Sequence, residues 1–259
     1  MFRIGCCGGA DTNGALKDAG FDFCEVNVQG WLVPLESEAV FAPHLEVMQA
    51  SRLPCAAANC FLPGSLKVTG PEVDLGRLMD YAGVACERAR RAGIRVIVFG
   101  SGGARQVPEG FSHEQAMDQL AEFARRLGPV AAASDVIIAV EHLTAKECNI
   151  LTTLPECARI VAAAGHPNVR LLADSYHWLV EGETPASLAP LVSQVAHVHI
   201  ATAPGRVEPG AEPCDFTPFL RSLLKGGYAG NFSLECNWCR PENKAAAVAA
   251  LRHLLAAAG

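Results

Sequence analysis

Basic residues are in short supply. The chain has 21 Lys and Arg against 27 Asp and Glu, a formal net charge of −6. Phosphate binding needs clustered cations, so nucleic acid is excluded as a general partner. Long apolar runs are missing as well. None approaches the ~20 residues that cross a bilayer, so no membrane partner is expected. The N-terminus, MFRIGCCGGA, runs straight into a strand-like segment and lacks the basic region and apolar core of a secretory leader. Charged residues make up only 19% and hydrophobic residues 50%, which excludes a disordered chain. No linker or shift in composition interrupts the 259 residues, so one domain spanning 1–259 is expected.

Cysteine, by contrast, is plentiful, with eleven residues. Cys24, Cys55, Cys86, Cys157 and Cys236 fall in core-like segments, where a free cysteine behaves as a small hydrophobe. This usage reads as a reduced, cytoplasmic protein, and the ligand spacing gives no expectation of structural zinc on thiolates.

Along the chain, strand-like and helix-like segments alternate. Strands are expected at 3–9, 21–28, 53–60, 94–99, 136–140, 169–173, 196–200 and 231–235. Helices are expected at 15–19, 36–51, 73–92, 112–133, 153–164, 184–192, 216–225 and 242–258. Ser112 is a candidate N-cap, and Gly93 follows an Arg-rich last turn as a stop signal. Strict alternation argues for a parallel sheet with helices outside. Eight βα units in about 250 residues give the count and size of a TIM barrel, and a single (β/α)8 barrel is the expected fold. An open, doubly wound sheet would favour a GxGxxG turn after the first strand, and Gly5–Gly9 is not that pattern.

In such a barrel, chemistry collects at the carboxyl ends of the strands. Strand five ends in Glu141-His142, strand six in Asp174, strand seven contains His197 and His199, and strand eight ends in Glu235. Each is about one βα unit from the next, so the side chains converge on one mouth. Taken singly, Asp174 reads as the cap of the following turn, and a histidine in an apolar strand reads as a core residue. Taken together, three carboxylates and an imidazole repel without a cation, and suit one divalent ion: Mn²⁺, Mg²⁺, Co²⁺ or Zn²⁺. His197 and His199 share a strand face by period two, so one can ligate while the other supports it. Tyr176 reads as packing.

These residues resemble the xylose isomerase-like TIM-barrel superfamily of sugar isomerases and epimerases, in particular the ketose 3-epimerases and hydroxypyruvate isomerase. The resemblance covers essentially the whole chain and is strongest in its second half. It implies four metal ligands, Glu141, Asp174, His199 and Glu235, with His199 favoured as the second histidine of an HxH pair. It implies substrate contacts from Glu147, six residues past the first ligand, and from His177, three past the aspartate. It also implies one from Arg206, ahead of Pro209-Gly210, with His197 placed among the substrate-side residues. The epimerases' Gly-Glu after the HxH is Ala201-Thr202 here, and Arg206 stands one residue later.

The implied activity is proton transfer next to the carbonyl of a ketose or related sugar, phosphorylated or not, through an enediolate. Glu141 and Glu235 would serve as base and acid. The partner is then a small carbohydrate, and a homo-oligomer is left open. A metal-dependent lyase of the inosose dehydratase kind uses the same site. A non-catalytic sugar-binding protein would be expected to lose a ligand, and none is missing. An apurinic-site endonuclease would need many more than eight histidines. GSGGAR at 100–105 reads either as a phosphate cradle with Arg105 or as a plain βα turn.

Overall fold

A computed structural model describes residues 2–239 and 241–259. Eight parallel strands close into a barrel in sequence order. They are β1 (Ile4–Cys7), β2 (Phe23–Asn27), β3 (Cys55–Asn59), β4 (Val96–Phe99), β5 (Ile137–Glu141), β6 (Val169–Asp174), β7 (Val195–Ile200) and β8 (Asn231–Leu234). Pairing of β1 with β8 removes the sheet edges. The helices are α1 (Asn13–Asp18), α2 (Glu38–Ala50), α3 (Leu75–Ala92), α4 (Gly102–Arg105), α5 (His113–Ala133), α6 (Leu154–Ala164), α7 (Ser175–Val180), α8 (Pro185–Leu188), α9 (Thr217–Lys225) and α10 (Lys244–Ala258). The (β/α)8 expectation is met. Among the described residues no helix is long and apolar enough to cross a membrane.

Period two within each strand builds two cores. Outward residues such as Ile4, Val26, Ile97 and Val198 join the large core under the helices. Inward residues Phe23, Ala57, Val96, Val98, Ala139 and Leu172 fill the barrel itself. That plug supports the next inward layer at the carboxyl end. Helix limits follow local chemistry. The Ser112 hydroxyl accepts from Gln115 N–H at the start of α5, and α3 closes at Gly93, as expected.

Several segments depart from expectation, among them the one-turn α4, which no expected helix covers. The stretch 184–192 forms the single turn α8 and then 3-10 turns over Ala189–Gln194, not one helix. Helix α7 was not anticipated, because six residues are too few to show a period. It begins directly at the end of β6.

Candidate active site at the carboxyl end of the barrel

Glu141 and Asp174 are the last residues of β5 and β6, His199 is the penultimate residue of β7, and Glu235 follows β8. Asp174 and His199 are register partners, and the Glu235 N–H donates to Ile200 O. One ligand atom from each of the four lies within 4.8 Å of the others. His199 Nδ1 is the centre of the group. It is 3.2 Å from Glu141 Oε1, 3.2 Å from Glu235 Oε2 and 3.8 Å from Asp174 Oδ2.

The two oxygens of Asp174 stand in different surroundings. Oδ1 caps α7, accepting from Tyr176 N–H at 2.6 Å and His177 N–H at 3.3 Å. Oδ2 is buried with no hydrogen-bond partner and points at the His199 and His177 rings. A buried carboxylate oxygen left alone is costly. Three carboxylates and an imidazole around one point, one oxygen of them unsatisfied, fit a divalent cation.

The charges are strongly coupled. Burial pushes the Glu141 carboxyl above its usual range, with the Glu235 charge adding to the rise and His199 opposing it. Burial acts the same way on Glu235, but His199 and Arg206 outweigh it and hold Glu235 down at about 2. Burial would lower the His199 pKa. The charges of Glu25 and Glu235 and hydrogen bonds to Glu141 and Glu235 reverse this and hold it well above an ordinary histidine. As a ligand, His199 would give up its Nδ1 proton, and the cation would take over the charge balance.

The rim is formed by later residues. The Arg206 guanidinium donates to Glu147 Oε1 at 2.7 Å and Glu235 Oε2 at 2.9 Å and lies 4.8 Å over the Tyr176 ring. Tyr176 is therefore a stacking platform rather than mere packing. Arg206 has a left-handed backbone (φ 51°), held in a loop where its N–H donates to Thr202 O and Val207 N–H donates to Thr202 Oγ1. The guanidinium thus reaches the mouth although it stands one residue late. His177 is fully buried behind the carboxylates. Its Nδ1 is 3.3 Å from Glu147 Oε2 and its Nε2 is 3.7 Å from Asp174 Oδ2, neither aligned as a hydrogen bond. The His142 ring, buried and edge-on to His177 at 5.8 Å, backs it. Burial, and then the His177 and Arg105 charges, keep His142 well below an ordinary histidine.

Glu25 on β2 was not singled out as a site residue. It is fully buried and accepts from His199 Nε2 and His197 Nε2, each at 2.8 Å. Its signal was an acidic residue in phase with Phe21 and Phe23 in an apolar strand. His197 does not line the mouth. It lies one layer deeper, with Nε2 shared between Glu25 and Ser233 Oγ. Asn59 at the end of β3 donates to Glu235 Oε1 at 3.1 Å. A Cβ on Gly100 would stand 2.2 Å from Glu141 Oε2, so a bare backbone at the end of β4 leaves room for that carboxylate.

In the glycine-rich segment 100–105, Gly100, Ser101, Gly102 and Gly103 line the mouth, but Arg105 adds no charge there. Arg105 is fully buried, and its guanidinium donates to Phe99 O and Leu151 O. One Cys-x-x-Cys spacing does occur, Cys236–Cys239, contrary to the reading of ligand spacing. Both thiols are free, and neither joins a metal-holding group among the described residues. The mouth opens into a cavity of about 340 Å³ lined in part by Gln29, Asn59, Cys60, Glu141, Arg206 and Glu235. That volume suits a small ligand.

The family described as xylose isomerase-like TIM barrel matches residues 14–257. The chain belongs to that family. A mouse protein provisionally named as a hydroxypyruvate isomerase is 34% identical over 82 residues, 31% of this chain and 30% of that one. Hydroxypyruvate isomerase of Escherichia coli is 24% identical over 128 residues, 48% of this chain and 50% of that one. The matches span 28–50% of the length of these curated relatives. Among solved structures, D-psicose 3-epimerase from Clostridium cellulolyticum H10 superimposes with a TM-score of 0.82 at 16% identity, covering 98% of this chain and 99% of that one. At that identity the likeness establishes the fold alone.

Proposed function

We propose that this chain is an isomerase or epimerase that moves a proton next to the carbonyl of a ketose or related small hydroxy-carbonyl compound. One divalent ion would be held by Glu141, Asp174, His199 and Glu235. The observation that carries this reading is the unpartnered, buried Asp174 Oδ2 facing His199 Nδ1, with Glu141 and Glu235 each 3.2 Å from that nitrogen. The hydroxypyruvate isomerase relatives support the reaction class.

When bound, the ion supplies Lewis acidity, polarising the carbonyl and favouring loss of the adjacent carbon-bound proton. Glu141 and Glu235 flank His199 from β5 and β8. A carboxylate can ligate through one oxygen and move a proton with the other. Arg206 fixes Glu235, as does Asn59, so this carboxylate keeps one orientation. Glu147, bonded to Arg206, would orient substrate oxygens, with the buried His177 positioned behind it. His197 would act through Glu25 and not on the substrate.

The test is a metal-loaded panel of ketoses and hydroxypyruvate with product analysis, run on the parent chain and on Glu235→Gln. Epimer or isomer formation by the parent, lost in the variant with retained fold, supports the reading. Undiminished turnover by the variant would sink it. A dehydrated product would transfer the same site to the lyase reading.

A further inference from the structure

We propose that the mouth also offers a sulfur-containing donor set, Cys7–His199–Glu235, which a thiophilic divalent ion such as Co²⁺, Zn²⁺ or Cd²⁺ takes. The proposal rests on the reading of His199 and Glu235 as ligands. Cys7 is the last residue of β1. A Cβ on Gly5, two residues earlier, would run into the Phe23 ring of the inner plug, so this parity faces the barrel interior. Ile4 and Cys6 face the helices instead. Barrel closure does the rest. Cys6 pairs with Leu234 across the β1–β8 seam, so the next step along both strands sets Cys7 beside Glu235.

The Cys7 sulfur, a His199 ring nitrogen and a Glu235 carboxylate oxygen all lie within 4.8 Å of one another. The thiol is free, and the residue is half-buried. The buried Asp174 oxygen without a hydrogen-bond partner, aimed at the same His199, marks this end of the barrel as a place for a cation. No sequence spacing announces this set, because its members come from β1, β7 and β8.

Ligand softness then sorts the ions. Mg²⁺ and Mn²⁺ prefer carboxylate oxygen, whereas thiolate and imidazole favour Zn²⁺ and its thiophilic neighbours. Both donor sets use His199 and Glu235, so one ion at a time is served. A hard ion sits with Glu141 and Asp174. A thiophilic ion is drawn toward β1, and the Cys7 thiol releases its proton to solvent as the metal–sulfur bond forms. The identity of the ion thus decides whether Cys7 is a bystander or a ligand.

Cobalt reports the difference directly. The metal-free chain titrated with Co²⁺ should develop visible ligand-field bands together with a near-ultraviolet thiolate-to-cobalt charge-transfer band. Cys7→Ser should lose the charge-transfer band and keep the ligand-field bands, and Cys60→Ser should keep both. Ligand-field bands without a charge-transfer band, or a charge-transfer band that survives in Cys7→Ser, overturns the proposal and leaves the four-ligand reading standing. No cobalt bands and no Mn²⁺ binding overturns both. Should Cys7→Ser fail to fold, iodoacetamide labelling of the unaltered chain, mapped by mass spectrometry, decides. Cys7 should be protected by Zn²⁺ but not by Mg²⁺, and equal labelling overturns the proposal.

Discussion

Glu25 Oε1 accepts from His199 Nε2 at 2.8 Å, and this bond decides which imidazole nitrogen faces the other carboxylates. With Nε2–H committed to Glu25, Nδ1 is left to the cluster. The same carboxylate accepts from His197, so one buried charge sets both rings. Replacing Glu25 by Gln puts an amide N–H where one acceptor stood and frees His199 to turn or change tautomer. Such outer partners are worth roughly 10–100-fold in metal affinity. Calorimetric titration of Glu25→Gln with Mn²⁺ should show a loss in that range, and an unchanged affinity would remove Glu25 from the site.

Gly100 limits Glu141 from the β4 side. An alanine methyl there would lie 2.2 Å from Glu141 Oε2, so the carboxylate must turn away or β4 must shift. Overpacking of this kind costs about 1–3 kcal/mol. Gly100→Ala should melt at a lower temperature and bind Mn²⁺ more weakly. A variant with both unchanged would show that Glu141 has freedom the packing does not suggest.

The cap and the proposed ligand role of Asp174 can be separated. Asparagine caps a helix about as well as aspartate, so Asp174→Asn should keep the Oδ1 bonds to Tyr176 and His177 while losing the charge beside His199. The metal-free variant should melt close to the parent and fail to bind the ion. Asp174→Ala should lose both tasks, with a further cost of about 1 kcal/mol from the missing cap. Thermal melts of both variants without metal, paired with metal titrations, give the comparison. Equal metal binding by Asp174→Asn and the parent would leave Asp174 as a cap alone.

The same residue shows what the sequence could and could not reveal. The cap reading and the ligand reading of Asp174 are not rivals, because Oδ1 caps α7 and leaves Oδ2 uncommitted. The barrel was legible because each βα unit carries its own periodic signal and stop residues, as at Ser112 and Gly93. Glu141, Asp174, His199 and Glu235 were legible because they recur at strand ends. Glu25, Asn59 and Cys7 were not, because their meaning depends on register across β1, β2, β3 and β8, which no local pattern carries. The two readings of segment 100–105 could not be separated in the sequence either, because only the fold shows that the Arg105 side chain turns inward to the carbonyls of Phe99 and Leu151.

Arg206 carries the last prediction. It bridges Glu147 and Glu235 with two different nitrogens while stacking on Tyr176. Lysine keeps the charge but is a point donor that cannot form this bridge and stack together. A hydrogen bond to a charged group is worth about 1.5–3 kcal/mol, and each 1.36 kcal/mol is about a factor of ten in rate. Once a turned-over substrate is in hand, Arg206→Lys should therefore lower kcat/KM roughly ten- to hundredfold. The melting temperature should barely move, because the side chain sits at the partly exposed rim. Separate KM and kcat values locate the effect. A raised KM alone assigns Arg206 to substrate binding. A lowered kcat means that Arg206 orients Glu235 for proton transfer. A lysine variant with parental kcat and KM would show that charge alone suffices at this position.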